Sequence, residues 1–152
     1  MKEFKFNLDK VLKVRDIKEE LAQVEFYQAR QQAEELRQKI KQLNSTQRQV
    51  YEQLREKSRI DPDYALQARR FLQHNRGEIE SVNEDLSEQE EIVENKREKL
   101  KERSKKRQAM EKLKENKAQE YYREVRREEQ RKIDDIAQFQ TEESNSVNSF
   151  NG

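Results

Sequence analysis

The sequence predicts an all-α protein, a long two-helix antiparallel coiled-coil hairpin, and three observations carry this prediction. Charged residues make up 43% and hydrophobic residues 31% of the 152 residues, which is too polar for a globular domain with a thick core. Apolar residues nevertheless recur at alternating steps of three and four, the spacing of a coiled-coil helix. The only proline, Pro62, lies between two such stretches, where it predicts a turn.

The first helix is expected over about residues 7–58. Asn7 is a suitable N-cap, Asp9 would lie in the first turn, and Phe6 and Val11 have the spacing of a hydrophobic staple. We expect the seam of this helix to begin at Val14, Ile17, Leu21 and Val24. After a drift in phase of about one residue, it is expected to continue through Ala22, Phe26, Ala29, Ala33, Leu36, Ile40, Leu43, Gln47, Val50 and Leu54.

The second helix is expected over about residues 62–140, with the turn near Asp61-Pro62 and a side-chain cap from Asp61. Its seam is expected at Ala68, Leu72, Asn75, Ile79, Val82, Leu86, Gln89, Val93, Lys96 and Leu100, and more weakly at Met110, Leu113, Tyr121, Val125, Ile133 and Ile136. Gly77 offers a competing break that would make residues 62–76 a short separate helix. Residues 141–152, rich in serine and asparagine, are expected to be a disordered tail.

The register of the hairpin is predicted from the seam and from charge. Facing seam residues should have position numbers that add to 122, which pairs Ala29 with Val93 and Val50 with Leu72. Residues 78–94 carry eight acidic and no basic side chains, and residues 96–107 carry eight basic and two acidic ones. Among registers shifted by a heptad, only this one places both blocks opposite a segment of opposite net charge. Met1 would then face Tyr121, leaving about twenty residues of the second helix beyond the first.

The residue inventory predicts no catalytic, cofactor or metal site, because there is one histidine, no cysteine and no glycine-rich phosphate loop. His74 is interpreted as a solvated helix residue. The basic run from Lys96 to Arg107 lacks interleaved aromatic residues, which favours a charged helix face over a nucleic-acid site. No apolar run reaches membrane-spanning length and the start lacks a secretory signal, so we expect a soluble cytoplasmic protein.

Polar residues at seam positions, which give the pairs Gln47 with Asn75, Ala33 with Gln89 and Phe26 with Lys96, are interpreted as devices that fix the register. Aromatic residues near the turn and near the open end are candidates for contacts with partners. The predicted partner-binding residues are Phe71, Leu72, Tyr121, Tyr122 and Val125.

The opening pattern Phe4-x-Phe6-x-Leu8-x-x-Val11-Leu12-x-x-Arg15-x-x-x-Glu19-x-x-Ala22 resembles the start of the flagellar FliJ family, small coiled-coil components of the bacterial type III export apparatus. The resemblance implies a non-enzymatic stalk, similar to that of rotary ATPases, whose open end enters a hexameric export ATPase.

The resemblance also implies contacts with export chaperones and with the cytoplasmic linker of the export gate, a membrane protein. The protein would then be located at the cytoplasmic face of the cell membrane. Phe71 is similar to the first gate-contact position of the family. The second position falls on Asn75, which is polar where the family is apolar.

Two alternatives remain open from the sequence. One is a coiled-coil adaptor or homo-oligomeric tether unrelated to secretion, in which the helices pair between chains. The other is the equivalent stalk of a virulence-type secretion system. A monomer in solution favours the hairpin stalk, and this is the state that we expect of the isolated chain.

Overall fold

The computed structural model describes the backbone of residues 2–150 and the side chains of residues 2–149. Within this range there are two helices, α1 (Asp9–Glu56) and α2 (Pro62–Phe150), and no strand. The chain divides into two compact units, the terminal unit (Met1–Arg15 with Lys106–Gly152) and the turn unit (Asp16–Lys105). In each unit α1 and α2 pack against each other in antiparallel directions, which confirms the predicted all-α helical hairpin.

The turn occupies residues 57–61, and Asp61 caps α2 as the sequence predicts. The backbone N–H of Asp63 donates to Oδ1 of Asp61 at 3.3 Å, and that of Ala65 donates to the Asp61 carbonyl at 2.9 Å. Pro62 occupies the first helical position, where its missing N–H and fixed φ are favourable. The first helix ends at Glu56, two residues before the predicted limit, and the Lys57 ammonium lies 3.5 Å from the Tyr64 ring centroid.

The seam of the turn unit is narrow and is built largely from small side chains. Ala22, Ala29 and Ala33 of α1 are buried, Ala33 with only 1% of its surface exposed. From α2, the buried residues are Ala68, Leu72, Asn75 and Val82. Partly buried residues fill the predicted positions between them, so the expected stripe from Ala22 to Leu54 is confirmed.

Two seam amides of α2 donate to backbone carbonyls of α1. Asn75 Nδ2 donates to the Leu43 carbonyl at 3.1 Å, and Gln89 Nε2 donates to the Ala29 carbonyl at the same distance and to Gln32 Oε1. A helical carbonyl can accept a second hydrogen bond because it has two lone pairs. The small side chain of Ala29 leaves room for the Gln89 amide to reach the backbone. Both amides are therefore satisfied inside the seam.

Polar contacts across the turn unit confirm the predicted register. Nζ of Lys96 and Nζ of Lys99 each lie 3.2 Å from Oε2 of Glu25, and the Ser104 hydroxyl donates to Glu19 Oε1 at 3.1 Å. The position numbers of these pairs add to 121, 124 and 123, close to the predicted 122. The basic block of α2 thus meets acidic side chains of α1, as its charge predicts.

The terminal unit has a small core of its own. Phe6, Leu12 and Met110 are buried together, and Phe4 and Leu8 pack against them. The chain start is held by Tyr121, whose hydroxyl donates to the Lys2 carbonyl at 2.7 Å. The predicted pairing of Tyr121 with Met1 involves a residue outside the described range, but the contact with Lys2 places Tyr121 one residue away from it.

The start of α1 differs from the predicted cap and staple. The helix begins at Asp9, and the Leu8 carbonyl accepts the first helical bond from Leu12 N–H at 3.0 Å, so Leu8 takes the cap position expected for Asn7. Phe6 packs with Leu12 and Met110, whereas Val11 is exposed. The Phe6–Val11 staple was therefore wrong, because burial in the core against Met110 decides where Phe6 packs.

The early seam predicted for α1 was wrong. Val14, Ile17, Leu21 and Val24 are each about half exposed. Instead, Leu12, Arg15 and Glu19 continue the three-four spacing of the Ala22 seam toward the N-terminus, with no drift in phase. Glu19 is buried. The basic segment of α2 favours an acidic side chain at this seam over an apolar one.

The end of α2 also differs from the prediction, since helix replaces the expected disordered tail as far as Phe150. Residues 141–150 contain no glycine or proline. The hydroxyls of Thr141, Ser146 and Ser149 donate to helix carbonyls three or four residues earlier, at 2.9 Å. Every side chain of residues 126–149 is exposed, including the predicted seam residues Ile133 and Ile136, and so is Leu113. Residues 151 and 152 of the predicted tail lie outside the described range.

The alternative break at Gly77 does not form. Gly77 lies inside α2, and a Cβ built on it would meet no atom within 4 Å. The helical frame of residues 68–82 is therefore unbroken.

A disulfide tests the register. We expect Ala29→Cys together with Val93→Cys to oxidise within one chain in dilute solution, because both positions lie on the seam and face each other. Non-reducing electrophoresis of the monomer measures this. The control pairs Ala29→Cys with Leu86→Cys, one heptad away, which is too far for the short Cβ–Cβ separation that a disulfide needs. Equal oxidation of both pairs would contradict the register.

Acid should weaken the ion pairs that Glu25 makes with Lys96 and Lys99. Hydrogen bonds from Lys99 and Lys96, with their positive charges, hold the pKa of Glu25 below its usual value. A carboxyl whose pKa is lowered by folding stabilises the folded state above its unfolded pKa, and this stabilisation is lost as the pH falls through the folded value. We expect Glu25→Gln to lower the Tm at pH 7 and to leave a smaller difference from wild type below about pH 4.

Circular dichroism melts at both pH values measure the effect. The matched control is Glu88→Gln, an exposed glutamate of the turn unit for which the described chain shows no ion pair. The control should change the Tm equally at the two pH values. A deficit of Glu25→Gln that is as large in acid as at pH 7 would contradict the role given to the two lysines.

Candidate partner-binding surfaces

The surface near the turn contains one exposed aromatic residue among the predicted partner-binding positions. Phe71 is 42% exposed, and Leu66 on the same helix and Ile60 in the turn are exposed as well. Beside them, the Arg76 guanidinium donates to the Tyr51 hydroxyl at 2.9 Å. Phe71 and Leu66 lie outside a shallow groove that is lined by Tyr51, Leu54, Ile60, Ala65, Arg69, Leu72, Gln73 and Arg76. Such a groove can accept an apolar side chain and a hydrogen-bonding group together.

Leu72 and Asn75 face the seam. Leu72 is only 9% exposed and Asn75 only 3%. Successive helix residues are about 100° apart, so Phe71 can be exposed while Leu72 packs against α1. Asn75, which falls on the second gate-contact position of the resemblance, donates its amide to Leu43 and so acts in helix pairing. Of these three residues, only Phe71 offers a surface to a partner.

The terminal unit brings Tyr121, Tyr122 and Val125 together at its end. The Tyr121 ring lies 5.6 Å from the Phe4 ring and 5.4 Å from the Tyr122 ring, the second in an edge-on arrangement. Tyr122 is exposed and Val125 is partly buried. Edge-on and tilted aromatic pairs add to the stability of such clusters beyond their buried area. The cluster is therefore an ordered aromatic surface rather than a set of isolated rings.

Charged side chains surround this aromatic surface. A shallow depression beside Phe4 and Tyr121 is lined by Lys117, Glu120, Arg123, Glu124 and Arg127. At the start of α1, the hydrogen bond and charge of Lys114 hold the pKa of Asp9 below its usual value. Both signs of charge thus flank the rings, which suits a protein partner with a mixed polar rim.

The described residues offer no sign of metal or membrane chemistry. Among them, no group of three or more potential ligands is arranged to hold a metal ion. His74 lies on the surface with Nε2 3.4 Å from Glu78 Oε1, one helical turn away. None of the described helices has a stretch long and apolar enough to span a bilayer.

Comparison with known families now adds to this geometry. The sequence model described as flagellar FliJ protein matches residues 4–146, nearly the whole chain. The chain belongs to the FliJ family. No curated protein and no solved structure matches it. FliJ proteins are non-catalytic components of the flagellar export apparatus, and the resemblance carried by the opening residues is confirmed.

Sequence reasoning missed Ile60, which lines the groove near the turn, and the exposed Leu66 of α2. Both are large apolar residues at positions outside the three-four seam. This sequence signal, an apolar residue off the seam, could have identified them. The same signal identifies Phe71, which precedes seam residue Leu72. It does not identify Leu72, which lies in the seam and packs against α1.

The two neighbours Phe71 and Leu72 should respond differently to truncation. We expect Leu72→Ala to lower the free energy of unfolding by about 2 kcal/mol or more, since it removes buried methyl groups. Phe71→Ala should change it by less than about 1 kcal/mol. Urea unfolding followed by circular dichroism measures both. A larger loss for Phe71→Ala would mean that its ring packs inside the turn unit.

Proposed function

We propose that this FliJ-family protein is the stalk of a flagellar type III export apparatus. In this proposal the end that carries both termini inserts into the hexameric export ATPase, and the surface near the turn contacts the cytoplasmic linker of the export gate. Export chaperones bind along the same stalk. The protein hydrolyses nothing itself, acts at the cytoplasmic face of the membrane and regulates the ATPase by contact.

The observation that carries the proposal is the family match over residues 4–146 together with the two separate aromatic surfaces. Tyr121 and Tyr122 lie in the terminal unit, and Phe71 lies in the turn unit. A protein that bridges two partners needs one contact surface for each. Phe71 supports the gate contact by its exposure, and the tyrosines support the ATPase contact by their place beside the chain start.

The length of α2 further supports an ATPase-facing role for the terminal unit. Beyond Val125, the helix continues to Phe150 with no described residue of α1 packed against it, and it exposes Ile133, Ile136 and Phe139. An unpaired helix with exposed apolar residues is suited to entry into an apolar cavity of a partner. Pairing of α1 with α2 inside one chain also favours a stalk over a tether whose helices pair between chains.

Stimulation of purified export ATPase tests the proposal. We expect the wild-type chain to raise ATP hydrolysis and to promote assembly of the hexameric ring, both measured with the ATPase at a concentration where it is largely monomeric. Tyr122→Ala should reduce both effects, because it removes an exposed ring from the terminal surface. Phe71→Ala is the matched control, an equally exposed aromatic residue, and should leave both effects unchanged.

Binding to a purified cytoplasmic fragment of the gate protein should show the opposite pattern. Phe71→Ala should weaken it several-fold, while Tyr122→Ala should leave it unchanged. Absence of any response of the ATPase to the wild-type chain would contradict the stalk role. Loss of ATPase stimulation in Phe71→Ala but not in Tyr122→Ala would reverse the assignment of the two surfaces.

A further inference from the structure

The α1 segment of residues 17–27 in the turn unit has two different faces. Toward α2 it presents buried Glu19 and Ala22 and the carboxylate of Glu25, which contacts Lys96 and Lys99. Farther along, Phe26 is flanked by the guanidinium groups of Arg30 and Arg97, each 5.6 Å from its ring centroid. Apart from Phe26, the face that packs on α2 is therefore polar or small over this stretch.

The large apolar residues of the segment lie on the other face. Ile17, Leu21 and Val24 are 56%, 58% and 53% exposed, and Tyr27 beside them is exposed as well. Leu21 and Val24 each follow a buried seam residue by two positions, which places them about 200° around the helix from the seam. The back of the segment is thus more apolar than its front.

Their spacing is that of a second seam. Ile17, Leu21 and Val24 are separated by four and three residues, the same steps that bring the main seam against α2. Farther along α1, from Ala29 to Leu54, no described large apolar residue is among the exposed ones. Toward the turn the exposed stripe therefore ends at Tyr27, whereas Val14 in the terminal unit is also about half exposed.

We propose that this stripe, the back face of residues 17–27, docks a short amphipathic helix of another protein, so that α1 lies between α2 and the docked helix. Helices that present apolar residues at i, i+4 and i+7 recognise a partner of the same spacing. The proposal requires no contact at Phe71 or at the tyrosines of the terminal unit, and so it stands independently of the stalk function.

The charges beside the stripe define the docked helix. Lys18 flanks it on one side and Glu20 on the other, and the described chain shows no ion pair for either. A partner helix with an acidic residue along one flank and a basic residue along the other complements both. Such flanking charges set partner choice and orientation in coiled coils.

The same charges disfavour a second copy of this segment. Antiparallel pairing that places Ile17 opposite Leu21 brings the same flank of each copy to the same side of the pair. The two Lys18 side chains then lie beside each other, and so do the two Glu20 side chains. A shift by one heptad sets Ile17 against Gln28, and parallel pairing sets Glu20 against Glu25. Each of these three self-pairings therefore combines like charges or gives up an apolar layer.

The size of the stripe supports a transient contact. Three half-exposed aliphatic side chains and one tyrosine offer on the order of a few hundred Å², the size of functional patches on monomers. Stable interfaces bury roughly 800 Å² per partner. A single docked helix of about three turns matches the stripe in area, whereas a stable dimer needs more surface than it provides.

A designed peptide tests the proposal with the full chain. The probe is a fluorescent three-heptad helix with leucine at its seam positions, glutamate along one flank and lysine along the other. Fluorescence anisotropy should show saturable binding to the wild-type chain. Leu21→Ser should weaken it at least tenfold, and Ile17→Ser, a second variant of the stripe, should weaken it similarly.

Two further variants separate the stripe from general stickiness. Ile92→Ser, which changes an exposed apolar residue of α2 in the same unit, should leave binding unchanged. Lys18→Glu makes both flanks acidic and should weaken binding several-fold at low salt, because one flank of the peptide then meets a like charge. Circular dichroism should show unchanged helix content for all four variants.

Several outcomes would overturn the proposal. Equal binding to wild type, Leu21→Ser and Ile17→Ser would show that the stripe does not dock helices, as would absence of saturable binding to the wild type. Sedimentation of the free chain provides the remaining test, and we expect a monomer. A wild-type dimer that Leu21→Ser converts to a monomer would assign the stripe to a second copy of this chain.

Discussion

The structure depends on one narrow seam between two helices. A chain with 43% charged residues has little apolar surface to bury. Each helix therefore buries one narrow face against the other helix, along a single line of contact. Alanines at positions 22, 29 and 33 let the backbones approach, and that approach allows the Gln89 amide to reach the Ala29 carbonyl. Small residues and buried amides are thus parts of one arrangement.

Charge has a different role from burial in this molecule. The interhelix pairs of Glu25 with Lys96 and Lys99 and of Arg37 with Glu90 are substantially exposed, and such pairs contribute little stability each. Their value lies in discrimination, because a shift by one heptad makes the charge match neutral in one direction and unfavourable in the other. The apolar residues of the seam supply attraction without a unique register, and the acidic and basic blocks of α2 help to choose among registers one heptad apart.

Most of the fold could be predicted from the sequence, because its determinants are local or periodic. Pro62 with Asp61 predicts the turn, and the three-four spacing from Ala22 to Leu54 predicts the inner face. The outward orientation of Ile17 and Leu21 could not be predicted from apolarity. A prediction from apolarity assumes that the most apolar face of a helix packs inside, and here that face is exposed. Extending the Ala22 frame backward to Leu12 gives the correct phase, but that frame requires Glu19 in the seam. Leu72, predicted to contact a partner, is buried in the seam.

The two buried amides have a mechanical consequence. Sliding α2 along α1 by part of a heptad would pull Asn75 away from the Leu43 carbonyl and Gln89 away from the Ala29 carbonyl. Each buried amide that loses its acceptor would cost about 1–3 kcal/mol. The two hydrogen bonds therefore resist sliding of one helix along the other. Axial force applied to one helix of the turn unit is therefore carried into the other without slippage.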